Sequence, residues 1–212
     1  IAASTSKSSK VADSSTLSGA FSPSLSLSNV LRADACSYIV VANNMFGCGT
    51  GQVSASLAPY VSRVMAVDAS APMLGAARKR LEPFRNVEIR RGELEALPLE
   101  DGSLDAAVLS LALHLAPEPA RVLAEAARVL RPGGKLLIVD MMPHERTDFV
   151  ESMGHLWPGF DAESITTWGR DAGFASTTYH PLPADPAAKG PTLFAAVLRR
   201  GSSSTRRPEA LP

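Results

Sequence analysis

The chain has little of what defines several protein classes. It has only two cysteines among 212 residues, so a disulfide framework is excluded and a reducing, cytoplasmic setting is expected. Its formal net charge is zero, which disfavours nucleic acid or an anionic membrane as a partner. No apolar run approaches the roughly 20 residues that cross a bilayer. The two cysteines and four scattered histidines lack the usual spacing of a zinc site, so no metal is expected.

Both ends of the chain differ in composition from its middle. Residues 1–35 are rich in serine, and we predict a disordered tail because such a segment buries too little apolar surface to offset its ordering entropy. The remnant of a transit peptide is the alternative, but Arg32 is the only arginine before the glycine loop at residues 47–51. Residues 201–212 are predicted to be a second tail, which leaves residues 36–200 as one domain.

Between the tails, strand-like and helix-like patterns alternate. Apolar runs predict strands at 38–42, 64–67, 87–90, 104–111, 136–139, 175–179 and 192–198. Helical spacing predicts four helices. Two of them cover 52–60 and 117–130; of the other two, one is capped by Ser70 and one is capped by Asp161 and ends at Gly173. Arg131 is expected at the end of the third helix, and residues 132–134 are expected to turn the chain. This alternation indicates an α/β protein with a largely parallel sheet, whose ligands bind at the carboxyl ends of the strands.

Gly47, Gly49 and Gly51 alternate shortly after the first predicted strand. Glycine lets the backbone approach a ligand closely, and the free N–H groups that open the next helix favour polar or anionic ligand atoms. The loop therefore predicts a nucleotide-like cofactor. A nicotinamide-dependent oxidoreductase is the weaker alternative, because its G-x-G-x-x-G pattern fails at Gln52.

Two further loops that follow strands carry acidic residues. Asp68 ends the second strand, where a carboxylate can accept both hydroxyls of a ribose. The alternative role for Asp68 is a helix cap shared with Ser70. Glu93 and Leu94 follow the third strand and can border an adenine ring; a solvated loop acid is the alternative for Glu93.

Together these segments resemble the class I S-adenosylmethionine-dependent methyltransferases. The matching segments, in the family's order, are 46–51, 66–70, 91–98, 104–110 and 129–136. The resemblance covers about residues 39–199 and implies a Rossmann-like, doubly wound, mostly parallel seven-stranded sheet with an antiparallel last strand. Residues 144–160 further resemble the methyltransferase domains that are fused to arsenic-repressor-type regulators, which are methyltransferase type 11 like.

The resemblance implies S-adenosylmethionine as the cofactor and a small molecule as the methyl acceptor. The glycines would flank the methionine moiety, Asp68 would hold the ribose, and the remaining contacts would lie near the adenine or the methyl donor. The implied cofactor-binding residues are Gly47, Gly49, Gly51, Asp68, Met73, Glu93, Leu94 and Ser110.

One position departs from the family pattern. Members commonly carry an acidic residue two positions before the first glycine, and Met45 stands there in this chain. Asn43 or Asn44 can donate or accept a hydrogen bond in its place but brings no charge, and a charged hydrogen bond is the stronger kind. A degenerate, non-catalytic relative with weakened cofactor affinity is therefore the alternative to an active enzyme.

His155 and His114 are the candidate catalytic residues. A general base helps when the methyl acceptor is a hydroxyl or a thiol. His155 is preferred because Trp157 and Phe160 can line an apolar pocket beside it, and His114 follows the fourth strand. A structural role is the alternative for each histidine. The acceptor and the oligomeric state stay open at this stage.

Overall fold

The computed structural model describes residues 37–41, 49–146, 154–184 and 190–202. Strands and helices alternate along these residues, which confirms the predicted α/β class. The strands are β1 (Ser37–Val41), β2 (Arg63–Asp68), β3 (Val87–Arg91), β4 (Leu104–Ser110), β5 (Leu130–Met141), β6 (Phe174–Pro181) and β7 (Leu193–Arg200). The described α-helices are α1 (Gln52–Leu57), α2 (Ala71–Leu81), α3 (Pro119–Val129) and α4 (Ala162–Asp171). Short 3-10 turns cover Ala58–Tyr60 and Leu113–Leu115.

The strands form one mixed sheet in the order β3-β2-β1-β4-β5-β7-β6. The pairs from β3 to β5 are parallel, whereas β7 is antiparallel to both of its neighbours, β5 and β6. The chain runs outward from β1 to β3 and then returns to the other side of β1 to form β4. This reversal sets the carboxyl ends of β1 and β4 side by side, which is where open α/β sheets bind ligands.

Helices pack on both faces of the sheet. The helices α1 and α2 bury Leu57 and Leu81 on one face, and α3 and α4 bury Leu123 and Ile165 on the other. The central strand β4 contributes to both cores, because alternate side chains of a strand point to opposite faces. This double burial explains the uninterrupted apolar run that predicted β4.

The junction of α3 and β5 differs from the prediction. The helix begins at Pro119, where a proline in the first turn loses no helical hydrogen bond, and β5 starts at Leu130 rather than at residue 136. Residues 131–134 bulge out of the pairing with β4, and Gly133 adopts a φ of +78° there. Arg131 was predicted at the helix end, but it lies in β5, and its Nε is 2.6 Å from Oδ1 of Asp105.

The two predicted helix caps have different outcomes. The Asp161 cap is confirmed, because its carboxylate accepts a hydrogen bond from the N–H of Ser164 at 2.7 Å. Ser70 does precede α2, but its side chain makes no capping hydrogen bond. The predicted Ser70 side-chain cap is therefore wrong. The backbone N–H of Ser70 donates to Oδ1 of Asp68 at 2.7 Å.

Part of the sequence prediction lies outside the described residues. This part comprises the tail at 1–35, most of the tail at 201–212, the altered segment 43–46, and Gly47. Among the residues that are described, no helix is long and apolar enough to cross a membrane.

Candidate functional site

The candidate cofactor side of the site lies after β1 and β2. Gly49 is buried there, and a Cβ atom built on it would lie 3.0 Å from Cγ of Met73 and 3.1 Å from Oδ2 of Asp68. Both distances are tighter than ordinary contacts of a Cβ atom, so any side chain at this position would have to displace Met73 or Asp68. The fold thus brings Gly49, Asp68 and Met73 together, three of the residues that the sequence singled out.

Gly51 begins α1 on the same loop, but its contacts face the protein. A Cβ atom on Gly51 would lie 2.8 Å from Cδ1 of Leu81, so this glycine lets α1 pack closely on α2. Beside it, Nη1 of Arg80 donates to Oγ1 of Thr50 at 2.9 Å. The described contacts of Gly51 therefore concern helix packing.

Asp68 has one engaged oxygen and one unpaired oxygen. Oδ1 accepts the N–H of Ser70, whereas Oδ2 is buried and has no hydrogen-bond partner among the described residues. Burial raises the pKa of Asp68 above its ordinary value; the Ser70 N–H opposes this rise, and the nearby charge of Glu93 adds to it. A buried acceptor without a partner costs about 1–3 kcal/mol, so Oδ2 is suited to a ligand hydroxyl.

An open cleft adjoins Asp68. Its empty volume is about 370 Å³, and its walls come from residues that follow β2, β3 and β4. The lining residues are Asp68, Ala69, Gly92, Glu93, Leu94, Glu95, Leu115, Ala116 and Pro117. The fold therefore brings Asp68, Glu93 and Leu94, which the sequence predicted for one ligand, to one cleft.

The chain turns sharply after Ser110, the last residue of β4. Leu111 has a φ of +51°, which is rare for a residue with a branched side chain, and its N–H donates to the carbonyl oxygen of Val139 at 2.8 Å. The 3-10 turn Leu113–Leu115 follows directly. This strained turn is followed by His114 and then by Leu115, Ala116 and Pro117, which line the cleft.

His114 pairs with Asp140, which lies one residue before the end of β5, whereas Asp68 is the last residue of β2. Nδ1 of His114 lies 2.7 Å from Oδ1 of Asp140, and both side chains are inaccessible to solvent. Asp140 also accepts the N–H of Met141 on Oδ1 at 2.8 Å and the N–H of Leu113 on Oδ2 at 2.9 Å. Asp140 was not predicted as a site residue; the signal available in the sequence was an acidic residue directly after the apolar run 136–139.

His155 lies against the ring of His114. Their ring centroids are 4.3 Å apart at 60°, and the N–H groups of Leu156 and Trp157 donate to the carbonyl oxygen of His114 at 3.0 and 3.2 Å. Burial lowers the pKa of His155, the nearby His114 and His144 lower it further, and Asp140 opposes them. The fold thus joins the two predicted catalytic histidines, and burial favours the neutral form of His155.

Aromatic side chains follow His155. Nε1 of Trp157 donates to the carbonyl oxygen of Ala116 at 2.9 Å, which ties this segment to the cleft wall. The rings of Trp157, Phe160 and Trp168 pack on one another with centroids 5.8 to 6.1 Å apart. Because Phe160 is buried in the main core, these rings chiefly anchor the segment that carries His155.

Comparison with known proteins identifies the family. A family model described as a methyltransferase domain matches residues 45–138. A demethylmenaquinone methyltransferase from Clavibacter sepedonicus is 31% identical over 190 residues, which cover 76% of this chain and 75% of that protein. The chain belongs to the S-adenosylmethionine-dependent methyltransferases. S-adenosylmethionine is accordingly the cofactor of this methyltransferase.

Other relatives are more distant or match over a shorter stretch. An uncharacterised 37.1 kDa protein in transposon TN4556 of Streptomyces fradiae is 46% identical over 95 residues, which cover 43% of this chain but only 28% of that protein. The crystal structure of an S-adenosylmethionine-dependent methyltransferase from Mesorhizobium loti has a TM-score of 0.64 at 21% identity, covering 78% of this chain and 91% of that one. The Rossmann-like fold is therefore shared with solved methyltransferases.

The described residues of the methyltransferase fit this cofactor. Oδ2 of Asp68 is a buried acceptor with no partner among them, and Gly49 leaves a gap that a Cβ atom would fill. An acceptor of this kind matches the hydroxyls of a ribose, and the cleft beside it is bordered by Glu93 and Leu94.

Proposed function

We propose that this methyltransferase catalyses in-line transfer of a methyl group to a small-molecule acceptor. The observation that carries the proposal is the unpaired, buried Oδ2 of Asp68 at the edge of the cleft. Residues 36–200 would form the catalytic domain, with a doubly wound, mostly parallel sheet that directs three loops toward one cleft.

The cofactor roles follow from position. Asp68 would accept the ribose hydroxyls, Glu93 and Leu94 would border the base, and Met73 would lie near the adenine. Gly47, Gly49 and Gly51 would flank the methionine moiety, and Ser110 would lie beside the methyl donor. When bound, S-adenosylmethionine supplies an electrophilic methyl group on a sulfonium leaving group.

The protein's own contribution to the rate would be positioning and proton transfer. Holding the acceptor atom within about 3–3.5 Å of the methyl carbon supplies much of the acceleration, because the reactants no longer lose translational freedom at the barrier. A positioned general base adds about 100-fold to 10,000-fold. His155 and His114 are the candidates for that base, since they lie together after β4 and β5.

A quinol is the first acceptor class to test. The Clavibacter relative carries the name demethylmenaquinone methyltransferase, and the aromatic side chains near His155 suit an apolar ring. We also propose that this methyltransferase is related to the methyltransferase domains that are fused to arsenic-repressor-type regulators, because residues 144–160 resemble the corresponding part of those domains.

Titration calorimetry tests the cofactor part of the proposal. We expect saturable, one-to-one binding of S-adenosylhomocysteine and no binding of NADH under the same conditions. Methyl transfer is then measured as S-adenosylhomocysteine formed with naphthohydroquinone, with catechol and a primary amine as alternative acceptors. Absence of S-adenosylhomocysteine binding would contradict the proposal. Tight binding without transfer to any of these acceptors would favour the non-catalytic relative.

A further inference from the structure

Three polar groups lie within hydrogen-bond distance of the carboxylate of Asp140. Two backbone N–H groups, those of Leu113 and Met141, donate to its oxygens, and the third neighbour is Nδ1 of His114 at 2.7 Å. An ionised carboxylate accepts hydrogen bonds but cannot donate them. The third neighbour must therefore also donate, which assigns the proton of the neutral His114 ring to Nδ1.

This assignment makes Nε2 of His114 a lone-pair acceptor. Nε2 is buried and has no hydrogen-bond partner among the described residues. Buried polar atoms are nearly always paired in proteins, and the exceptions tend to have a ligand or a catalytic role. Nε2 therefore lacks a hydrogen-bond donor, and the donor has to be a group other than the described side chains.

His114 directly precedes, in the chain, residues that line the cleft. His114 follows Ser110 by four positions, and Leu115, Ala116 and Pro117, the residues after it, line the cleft that Asp68 borders. The His155 ring packs against the His114 ring. A base in such a place is shielded from water and still lies next to the carboxyl end of β4.

We propose that Asp140 is a positioning residue for this methyltransferase and that Nε2 of His114, held by it, receives the proton of a methyl acceptor with an acidic hydroxyl group, such as a phenol or quinol. The inference rests on the proposed function and chooses His114 over His155 as the base. The acceptor's electron pair bonds to the methyl carbon, and the electron pair of the broken carbon–sulfur bond stays on sulfur. The acceptor's proton passes to Nε2, and the negative charge of Asp140 balances the imidazolium that results.

Nitrogen NMR of protein with isotope-labelled histidine tests the positioning directly. The chain has four histidines, and the His114→Gln variant assigns the signals of this one. We expect the wild-type ring to carry its proton on Nδ1 at neutral pH. In Asp140→Asn, an NH2 group replaces one of two oxygens that both accept hydrogen bonds, so it must face a donor. We therefore expect the His114 ring to carry its proton on Nε2, or to be a mixture of the two tautomers. A wild-type ring protonated on Nε2 overturns the inference without any activity measurement.

Single-turnover transfer to naphthohydroquinone, with S-adenosylmethionine bound, tests the proton acceptance. We expect Asp140→Asn to lower the rate at saturating acceptor by about 100-fold, with acceptor affinity and S-adenosylhomocysteine affinity changed less than about threefold. The double variant with His114→Gln should be no slower than His114→Gln alone, because the two side chains act as one unit. Asp105→Asn is the matched control: it removes the carboxylate paired with Arg131 near the opposite end of β4 and should keep the full rate.

The outcomes separate this inference from the proposed function. Unchanged turnover in Asp140→Asn, or equal losses in Asp140→Asn and Asp105→Asn, overturns the role of Asp140. Absence of S-adenosylhomocysteine binding by the wild-type chain contradicts the proposed function instead. Binding without transfer to naphthohydroquinone rejects the hydroxyl acceptor. If Asp140→Asn fails to fold, the wild-type tautomer and the rate of His114→Gln, which can still donate to Asp140, decide the question.

Discussion

Asp68 and Asp140 occupy equivalent places at opposite sides of the site. Each is a buried acidic residue at the carboxyl end of a strand, and each accepts the backbone N–H of a residue one or two positions later in the chain. They differ in what remains unpaired. Asp68 keeps one buried oxygen without a partner among the described residues, whereas both oxygens of Asp140 are engaged and the unpaired atom is Nε2 of His114.

The difference shows how one structural device serves two purposes. A carboxylate with an unpaired oxygen is a preformed site for ligand hydroxyls, and its burial is unfavourable until the ligand arrives. A carboxylate whose donors all belong to the protein stabilises the fold. It also orients the side chain that is hydrogen-bonded to it, which at Asp140 is His114. Removing the charge should therefore weaken ligand binding at Asp68 and fold stability at Asp140.

Replacing each aspartate by asparagine gives the largest contrast. Asp68→Asn should lower S-adenosylhomocysteine affinity by about tenfold to 100-fold, because hydrogen bonds to a charged acceptor become neutral ones. Its stability at neutral pH should hold or rise. Burial raises the pKa of Asp68 above its ordinary value, so ionisation of this carboxyl opposes folding at neutral pH, and this penalty disappears only when the pH falls through the raised pKa.

Asp140→Asn should show the opposite pattern. Its free energy of unfolding should fall by about 1–3 kcal/mol, because one backbone N–H loses its acceptor, while cofactor affinity is kept. Urea unfolding and calorimetry on both variants measure the two quantities side by side. Greater destabilisation by Asp68→Asn than by Asp140→Asn would break the comparison.

A smaller change at Gly49 tests whether the Asp68 side is preformed. In Gly49→Ala, the added methyl group must displace Met73 or Oδ2 of Asp68, which lie 3.0 and 3.1 Å from the new Cβ. Such overpacking should cost about 1–3 kcal/mol of fold stability. Displacement of Oδ2 from its position should in addition lower cofactor affinity about tenfold. Gly75→Ala in α2 is the matched control, since no atom lies within 4 Å of its Cβ. It should gain about 0.5–1 kcal/mol of stability and bind as the wild type does; equal affinities for both variants would contradict the expectation.

The smallest effect concerns acid stability on the His114 side. Burial lowers the pKa of His155 in the folded state below its ordinary 6.5. The unfolded chain therefore takes up a proton first, and the wild type should lose stability as the pH falls below about 6.5. His155→Gln should lose less stability over that window, whereas His180→Gln on β6 should follow the wild type. The measurement is the midpoint of urea unfolding as a function of pH. Curves with the same pH dependence for all three proteins would contradict a buried, neutral His155.

Much of the cofactor side was predictable from local patterns. Asp68, Glu93 and Leu94 each follow an apolar run, and parallel strands bring their carboxyl ends to one edge of the sheet. The Asp161 cap was equally local, because a capping side chain reaches only the first turn of its own helix. Ser70 shows the limit of such reasoning, because it directly precedes α2 and yet its side chain makes no capping hydrogen bond.

The His114 side was predictable only in part. His114 and His155 were candidates because their type can transfer protons, but their contact depends on the turn at Leu111 and on hydrogen bonds across 41 residues or more. Asp140 had a weak signal as the acid after an apolar run. Its partner lies 26 residues away and is met only because β4 and β5 pair with Ser110 opposite Val139.

The sequence by itself determined the α/β class, the positions of most strands and helices, and the family, because hydrophobic periodicity and short motifs are properties of neighbouring residues. Only the tertiary structure decided which polar atoms are left without partners. The oxygen of Asp68 and the nitrogen of His114 are unpaired for a reason that no local pattern contains. Burial excludes water from these two atoms, and the strand register places no other described polar group within hydrogen-bond distance of them.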